Sequence, residues 1–155
     1  MKNNPRFAVD KMLGKLAKWL RILGYDTFYK NKISNATLLS IANSDNRILI
    51  TRNHFFKKRK HQIKIIFITK DNLKDQLLEL KNEIKLSTNR MFIRCPICNH
   101  KTTPIDKEYV KDIVPAYVYQ TQERFFQCLL CGKVYWAGTH LKNAKKFISN
   151  LDFKN

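Results

Sequence analysis

The sequence predicts an α/β fold, with a parallel sheet flanked by helices, followed by a small cysteine-bearing unit. Two observations carry this prediction. Strand-like and helix-like patterns alternate over the first 86 residues, and all four cysteines lie beyond residue 91. Such alternation is typical of a parallel sheet covered on both faces. The polar run over residues 86–90 indicates a linker, so we expect one unit over residues 1–86 and a second over residues 91–155.

The first unit contains four predicted strands and three predicted helices. Short apolar runs predict strands over residues 7–9, 25–29, 47–51 and 63–68. Apolar residues at helical spacing predict helices over residues 12–23, 36–42 and 73–84. Gly24 suits the left-handed backbone that often ends a helix. Asn35 and Asp71 stand where the second and third helices need an N-cap.

Two CxxC pairs in the second unit predict a metal site. Cys95 and Cys98 are followed, after 29 residues, by Cys128 and Cys131. Each CxxC loop presents two thiolates, and two loops complete a closed tetrahedral zinc site. Four unrelated buried cysteines are one alternative and a redox pair is another, although a redox site needs only one CxxC in a βαβ context. We expect a zinc ribbon with one structural Zn²⁺ per chain.

The rest of the second unit is rich in aromatic and β-branched residues. Runs over residues 109–110, 114–119 and 125–126 predict short strands of the ribbon. Thr139 stands where it could cap a final helix through Ile148. Tyr135 and Trp136 either pack the small core or stack on nucleic-acid bases.

The charge balance predicts a polyanionic partner. Thirty Lys and Arg oppose twelve Asp and Glu among 155 residues, which gives a formal net charge of +18. This excess argues against an acidic binding surface and favours nucleic acid. No apolar run approaches the roughly 20 residues of a membrane span, and the N-terminus is too short and polar for a signal peptide. We expect a soluble intracellular protein in the cytoplasm or an equivalent reducing compartment.

Two basic clusters are candidates for contact with RNA. The first lies at helical spacing on one stripe of the first helix and comprises Lys11, Lys15, Lys18 and Arg21. The second follows the third strand, includes Phe55 and Phe56, and comprises Arg52, Lys57, Lys58, Arg59 and Lys60. Basic side chains contact phosphates, and aromatic rings stack on unpaired bases. A plain solvated helix face is the alternative interpretation of the first cluster.

Five ordered sequence blocks resemble the Mut-seven C-terminal RNase domain family. They are VDKMLGKLAKWLRILGYDT (9–27), RILITR (47–52), DQL (75–77), RCPICN (94–99) and CGKVYWAGTH (131–140). The resemblance implies a PIN-like domain followed by a zinc ribbon. It also implies a metal-dependent ribonuclease, in which clustered carboxylates hold Mg²⁺ or Mn²⁺ ions that activate water.

The candidate active site departs from the family pattern. Asp10, Asn53 and Asp71 all follow predicted strands, so they should converge on the carboxyl edge of the sheet. The resemblance implies that Asp10 is the first acid of the site, and Asp26 also matches the signature. Asn35 and Asn53 stand where the family has acidic residues. As alternatives, Asp71 caps its helix, and Asp26 braces its loop or pairs with Arg21 or Arg52.

Three functions follow from these features. The first is hydrolysis of single-stranded RNA with a divalent metal. The second is non-enzymatic binding of RNA, for example structured or ribosomal RNA, by a site that has lost two acids. The third, which has the weakest support, is a protein-interaction adaptor, and it requires an exposed apolar patch on the ribbon. Three carboxylates around one point would support hydrolysis, whereas Asp10 alone among amides and cations would contradict it.

Overall fold

A four-stranded parallel sheet forms the centre of the first part of the chain. The computed structural model describes residues 4–58 and 62–151, without the side chain of Lys58. The strands are β1 (Phe7–Val9), β2 (Thr27–Tyr29), β3 (Ile48–Thr51) and β4 (Ile65–Phe67), in the order β2-β1-β3-β4. The helices are α1 (Gly14–Ile22), α2 (Asn35–Ser44) and α3 (Leu73–Glu83). The predicted parallel sheet flanked by helices is therefore confirmed.

Apolar side chains cover both faces of this sheet. Phe7 and Val9 of β1 point to one face, where they pack with residues of α1 and α3 such as Leu16 and Leu77. Ala8 points to the other face and packs with Leu38 of α2 and with other residues. Successive residues of a strand alternate between faces, so one short strand contributes to two cores. Burial on both faces explains why the strands are continuously apolar.

The N-caps of α2 and α3 differ by one residue from those that the sequence predicts. Ser34 caps α2 by accepting a hydrogen bond from the Thr37 amide, and Asn72 caps α3 by accepting one from Asp75. Ser and Asn are both strong N-cap residues. The side chains of Asn35 and Asp71 are therefore available for other contacts.

The second part contains a three-stranded antiparallel sheet. Its strands are β5 (Thr102–Ile105), β6 (Phe125–Cys128) and β7 (Val134–Trp136), in the order β5-β6-β7. The strands predicted over residues 109–110 and 114–119 are wrong, because this segment forms a 3-10 helix (Lys107–Val110) and α4 (Ala116–Thr121). The last helix is α5 (Thr139–Ser149). Its N-cap residue is Gly138 rather than the predicted Thr139, and no side chain caps it.

The run predicted to be a linker is packed against the first part. Leu86 is buried in the core of the parallel sheet, and the Phe92 amide donates to the Ile22 carbonyl at 2.7 Å. Helix α5 returns to the same core through Ile148, and the rings of Trp19 and Phe147 lie 4.6 Å apart. The second unit therefore shares apolar contacts with the first.

Gly24 allows this packing to be tested. It lies between α1 and β2, and the backbone of Arg90 packs closely against it. Its φ is +92°, and a β-carbon there would overlap the carbonyl of Arg90. We expect Gly24→Ala to lower the free energy of unfolding by about 2–4 kcal/mol, from backbone strain and steric overlap together. Gly132→Ala is the control, because its φ is +73° but nothing lies within 4 Å of the added carbon. Urea denaturation that gave equal losses would contradict the steric contribution.

Candidate functional site

Asp10 and Thr51 lie together at the carboxyl edge of the parallel sheet. Asp10 directly follows β1 and Thr51 ends β3, the neighbouring strand. The Thr51 hydroxyl donates to the Asp10 Oδ2 at 2.6 Å, and the Asp10 carboxylate is buried, with 1% of the residue exposed. The same hydroxyl oxygen accepts a hydrogen bond from the backbone N–H of Asn53 at 2.9 Å. Asn53 is thereby held beside Asp10, as the strand-end argument predicts.

The side chains of Asn35 and Asn53 form a hydrogen-bonded pair, and Thr51 links the backbone of Asn53 to the Asp10 carboxylate. The Asn53 Nδ2 donates to the Asn35 Oδ1 at 3.2 Å, and the Asn53 Oδ1 accepts from the Phe55 amide at 3.0 Å. Two carboxylates at these positions would repel each other unless a cation lay between them. Two amides combine a donor with an acceptor. The Asn35 and Asn53 side chains can therefore attract each other without a metal ion between them.

Asp71 does not complete a cluster of carboxylates. Its Oδ1 lies 2.6 Å from the Arg52 Nη2, and 89% of its side chain is exposed. Over residues 4–58 and 62–151, only the four cysteines bring three or more His, Cys, Asp or Glu side chains close enough to share an ion. In the described residues Asp10 is thus not part of a cluster of three carboxylates, and Asp71 forms a surface ion pair.

Asp26 lies at the opposite, amino-terminal edge of the sheet, because it precedes β2 rather than following a strand. Its Oδ1 is 2.7 Å from the Arg47 Nη1 and accepts from the Asn99 Nδ2 at 2.9 Å, and its Oδ2 is 3.3 Å from the Arg6 Nε. The structure therefore does not bring Asp26 to Asp10, which corrects its placement in the active site. It braces its loop, with Arg47 and Arg6 as partners rather than Arg21 or Arg52.

Asp26 should make stability depend on pH in the acid range. Burial alone raises the pKa of Asp26, but hydrogen bonds from Arg47 and Asn99 outweigh it and lower the pKa to about 2. A lowered pKa stabilises the fold above the ordinary value near 3.8, and this stabilisation is lost as the pH falls towards 2. We expect Asp26→Asn to cost about 2 kcal/mol at neutral pH.

The gap between wild type and Asp26→Asn should narrow steadily as the pH falls below about 4. Urea denaturation over that range measures it, and taking the difference cancels effects common to both proteins. Asp71→Asn is the matched control, because its exposed ion pair should contribute at most about 1 kcal/mol. A gap that did not change with pH would contradict the role of the Asp26 charge.

The basic residues divide between the surface and the interior. Lys11, Lys15 and Lys18 are exposed along α1 and the turn before it. Arg21 is buried: its Nε donates to the Thr27 carbonyl and its Nη1 to the Ile97 carbonyl at 2.6 Å. Arg21 therefore fastens the first CxxC loop to the α/β part, which corrects its assignment to the RNA-binding stripe.

The second basic cluster is described in part. Arg52 pairs with Asp71, and the exposed Lys57 has its Nζ 5.1 Å from the centre of the Phe67 ring. The Lys58 side chain and residues 59–61, which include Arg59 and Lys60, lie outside the described residues.

The four cysteines converge on one point. Their sulfur atoms all lie within 4.8 Å of one another, and none is in a disulfide. The Cys95–Cys131 and Cys98–Cys128 sulfur distances are 3.7 and 3.2 Å. Tetrahedral zinc with bonds of about 2.3 Å separates its sulfur ligands by about 3.8 Å. The donor set and spacing fit a metal ion held by four thiolates.

Tyr135 contacts this cluster through its hydroxyl group. Its hydroxyl lies 3.0 Å from the Cys95 sulfur. Burial raises the pKa of Cys95, but hydrogen bonds from Tyr135 and the backbone of Cys98 and Ile97 outweigh it and lower the pKa to about 7. Burial raises the pKa of Cys98 to about 12. Without a cation the four thiols do not all ionise together, whereas a divalent ion makes four thiolates favourable.

Sequence reasoning assigned no role to two residues that organise these sites. Thr51 joins Asp10 to Asn53, and its position at a strand end was a usable signal. Asn99 donates to Asp26 and accepts from the Thr27 amide at 2.9 Å. These partners are more than 70 residues away in sequence, so no local pattern points to them.

The fold and the sites define an α/β protein with a strand-edge site and an attached four-cysteine cluster. The chain belongs to the Mut7-C RNase family, because the family model described as the Mut7-C RNAse domain matches residues 5–148. This family implies RNA as a substrate or partner. The search of curated proteins gives no match, and the search of solved structures gives none either. None of the helices in the described residues has the length and apolar character needed to cross a membrane.

Proposed function

We propose that this protein binds RNA without hydrolysing it. The observation that carries the proposal is the composition of the strand-edge site, where Thr51 links Asp10 to the backbone of Asn53 and the Asn53 side chain pairs with Asn35. Metal-dependent hydrolysis of a phosphodiester needs carboxylates that hold Mg²⁺ or Mn²⁺ and neutralise its charge. An amide oxygen can bind such an ion but contributes no negative charge. Asp10 alone therefore provides a weak site for a divalent cation.

The surface around this edge suits an RNA backbone. Lys11 directly follows Asp10, and Lys15 and Lys18 continue along α1 from the same edge. On the other side, Asn53 leads into the 3-10 helix His54–Lys58, which contains Phe55 and Lys57. The proposed RNA surface combines lysines for phosphates with an aromatic ring for an unpaired base. Arg59 and Lys60 extend it in sequence.

The second part of the proposal is a PIN-like domain joined to a zinc ribbon with one structural Zn²⁺. The geometry of Cys95, Cys98, Cys128 and Cys131 supports it. Four thiolates leave no open coordination position, so this ion would hold structure rather than activate water.

Family membership favours a second candidate function, metal-dependent cleavage of single-stranded RNA, with Asp10 as the retained acid. One experiment separates the two. Fluorescent single-stranded RNA is titrated with protein at several salt concentrations, and the same RNA is incubated with protein and Mn²⁺. Wild type is compared with Asp10→Asn. Asp71→Asn is the control, because it removes an acid outside the strand-edge site.

We expect binding without cleavage. With about four phosphate contacts, the affinity should fall about fiftyfold between about 50 and 200 mM salt. Cleavage by wild type that disappears in Asp10→Asn would establish the ribonuclease instead. Equal cleavage by both proteins would identify a contaminating nuclease, and a lack of RNA binding at low salt would refute the proposal.

A further inference from the structure

An exposed apolar stripe lies on the segment between β5 and β6. Every fourth residue of this segment is buried and packs with Phe125, namely Val110, Val114 and Val118. The residue before each valine is exposed, and these three form what we call the docking stripe: Tyr109 (70% exposed), Ile113 (57%) and Tyr117 (68%). The three valines, and not the residues of the docking stripe, pack in the core. Packing of the core therefore gives no reason for Tyr109, Ile113 and Tyr117 to be large and apolar.

The charge around the docking stripe is opposite to that of the whole chain. Residues 106–123 contain four carboxylates and two lysines, a net charge of −2 in a protein of +18. All four carboxylates belong to exposed residues: Asp106, Glu108, Asp112 and Glu123. Lys107 pairs with Glu123 at 2.8 Å and lies 5.2 Å from the centre of the Tyr119 ring. Apart from that pair, the same segment carries three exposed carboxylates and the exposed Lys111.

These charges indicate which kind of molecule can bind the docking stripe. Carboxylates repel the phosphates of RNA and the headgroups of anionic lipids, so the stripe is poorly suited to either. An isologous dimer through this surface would place acidic residues against the same acidic residues. A cationic protein segment with apolar side chains satisfies both features, since its lysines or arginines face the carboxylates while its apolar groups cover the rings. Tyrosine is enriched among the residues that dominate binding energy at protein interfaces.

We propose that the docking stripe and its carboxylates bind a lysine- or arginine-rich protein segment that carries apolar side chains. This surface is separate from the strand-edge site, so the inference does not depend on RNA binding. It gives the protein a second partner, of basic composition.

A labelled peptide of repeating Lys-Leu is a suitable probe, and fluorescence anisotropy measures its binding. The +18 chain repels a cationic peptide as a whole, so binding reports a local surface. A Lys-Ser peptide tests the need for apolar groups, and a Glu-Leu peptide tests the need for positive charge. Amide chemical shifts of the labelled protein show where the peptide lies.

We expect the Lys-Leu peptide to bind more tightly than either control peptide and to shift amides within residues 106–123. Tyr109→Ser/Tyr117→Ser should lower its affinity about tenfold, and Asp106→Asn/Asp112→Asn should lower both its affinity and its salt dependence. Phe126→Ser is the matched control: it removes an exposed ring that faces away from the valine row, because the neighbouring Phe125 faces towards it. It should bind the peptide like wild type.

Several outcomes would overturn this inference. One is a peptide affinity that the tyrosine and aspartate variants leave unchanged. Another is a loss of RNA affinity in the tyrosine variant, which would make the stripe an RNA surface. A third is a dimer in sedimentation experiments that the tyrosine variant abolishes, which would make the occupant a second copy of the chain. Spectra of each variant without peptide establish that it is folded.

Discussion

Chelation of the Zn²⁺ proposed for the four-cysteine site should unfold the antiparallel sheet of the second part. Structural Zn²⁺ contributes about 10–16 kcal/mol in small zinc domains, more than the three short strands β5, β6 and β7 supply alone. Cys128→Ser should have the same effect, because Cys128 is fully buried and ends β6. Elemental analysis should find one zinc per chain, and circular dichroism should show loss of structure on chelation and its recovery when Zn²⁺ is restored.

The effect of chelation should also reach the parallel sheet. The first CxxC loop accepts hydrogen bonds from Arg21 through the Pro96 and Ile97 carbonyls, at 3.3 and 2.6 Å. Asn99, directly after Cys98, contacts Asp26 and the Thr27 amide. Without the loop, the buried Arg21 guanidinium loses two acceptors, which is costly for a charged group. We therefore expect amides of β1 and β2 to exchange hydrogen faster after chelation.

Leu130→Ser is the matched control for Cys128→Ser. It lies between the two ligands of the second loop, its side chain is exposed, and it is not a ligand. It should retain zinc and the wild-type spectrum. Unchanged folding of metal-free protein would refute a structural metal, and unchanged exchange in β1 and β2 would refute the coupling between the two parts.

The strand-edge site could be predicted from sequence because it depends on a topological rule. The carboxyl ends of parallel strands meet at one edge, so the positions of Asp10 and Asn53 after β1 and β3 were enough to bring them together. Asp26 could not be placed in the same way. Its partners Arg47 and Asn99 are 21 and 73 residues away, and only the tertiary fold determines that they meet.

The errors in the second part have a different cause. The segment over residues 107–121 is rich in Val and Tyr, a composition that favours strands, yet it forms a 3-10 helix and α4. The informative signal was spacing, since Val110, Val114 and Val118 recur every four residues and all face one core. For Arg21 the error was the opposite one, because its helical spacing was followed although the side chain is buried. It fits the helical stripe of lysines, but the CxxC loop packs over that end of α1 and its carbonyls bind the guanidinium.

The net charge described the chain as a whole, but it did not describe the local charge of each surface. An excess of +18 argued against any acidic surface, yet residues 106–123 carry −2 around the most exposed tyrosines. Their position between β5 and β6 is far in sequence from the lysines of α1. Two surfaces of opposite charge on one chain can bind partners of opposite charge.

The Asn35→Asp/Asn53→Asp double variant should gain a divalent-metal site. The two amides are in direct contact at 3.2 Å, and Asn53 is held beside Asp10 through Thr51. Carboxylates at both positions would add two negative charges to the site that contains Asp10. Without metal, their repulsion should lower stability by about 1–2 kcal/mol. With Mn²⁺ the loss should be reversed, so the melting temperature should rise on addition of metal in the variant and not in wild type.

Cleavage of single-stranded RNA should appear in this variant with Mn²⁺, at a rate at least about a hundredfold above that of wild type, because bound metal activates water and stabilises charge on the phosphate. Asn43→Asp/Asn82→Asp is the control, since it adds the same charge at exposed positions of α2 and α3. Adding Asp10→Asn to the active variant should abolish cleavage. Mn²⁺ stabilisation without cleavage would mean that a metal site alone does not complete catalysis. Neither effect would mean that Asn35 and Asn53 do not occupy the positions of lost metal ligands, which would remove the main argument for a degenerate nuclease.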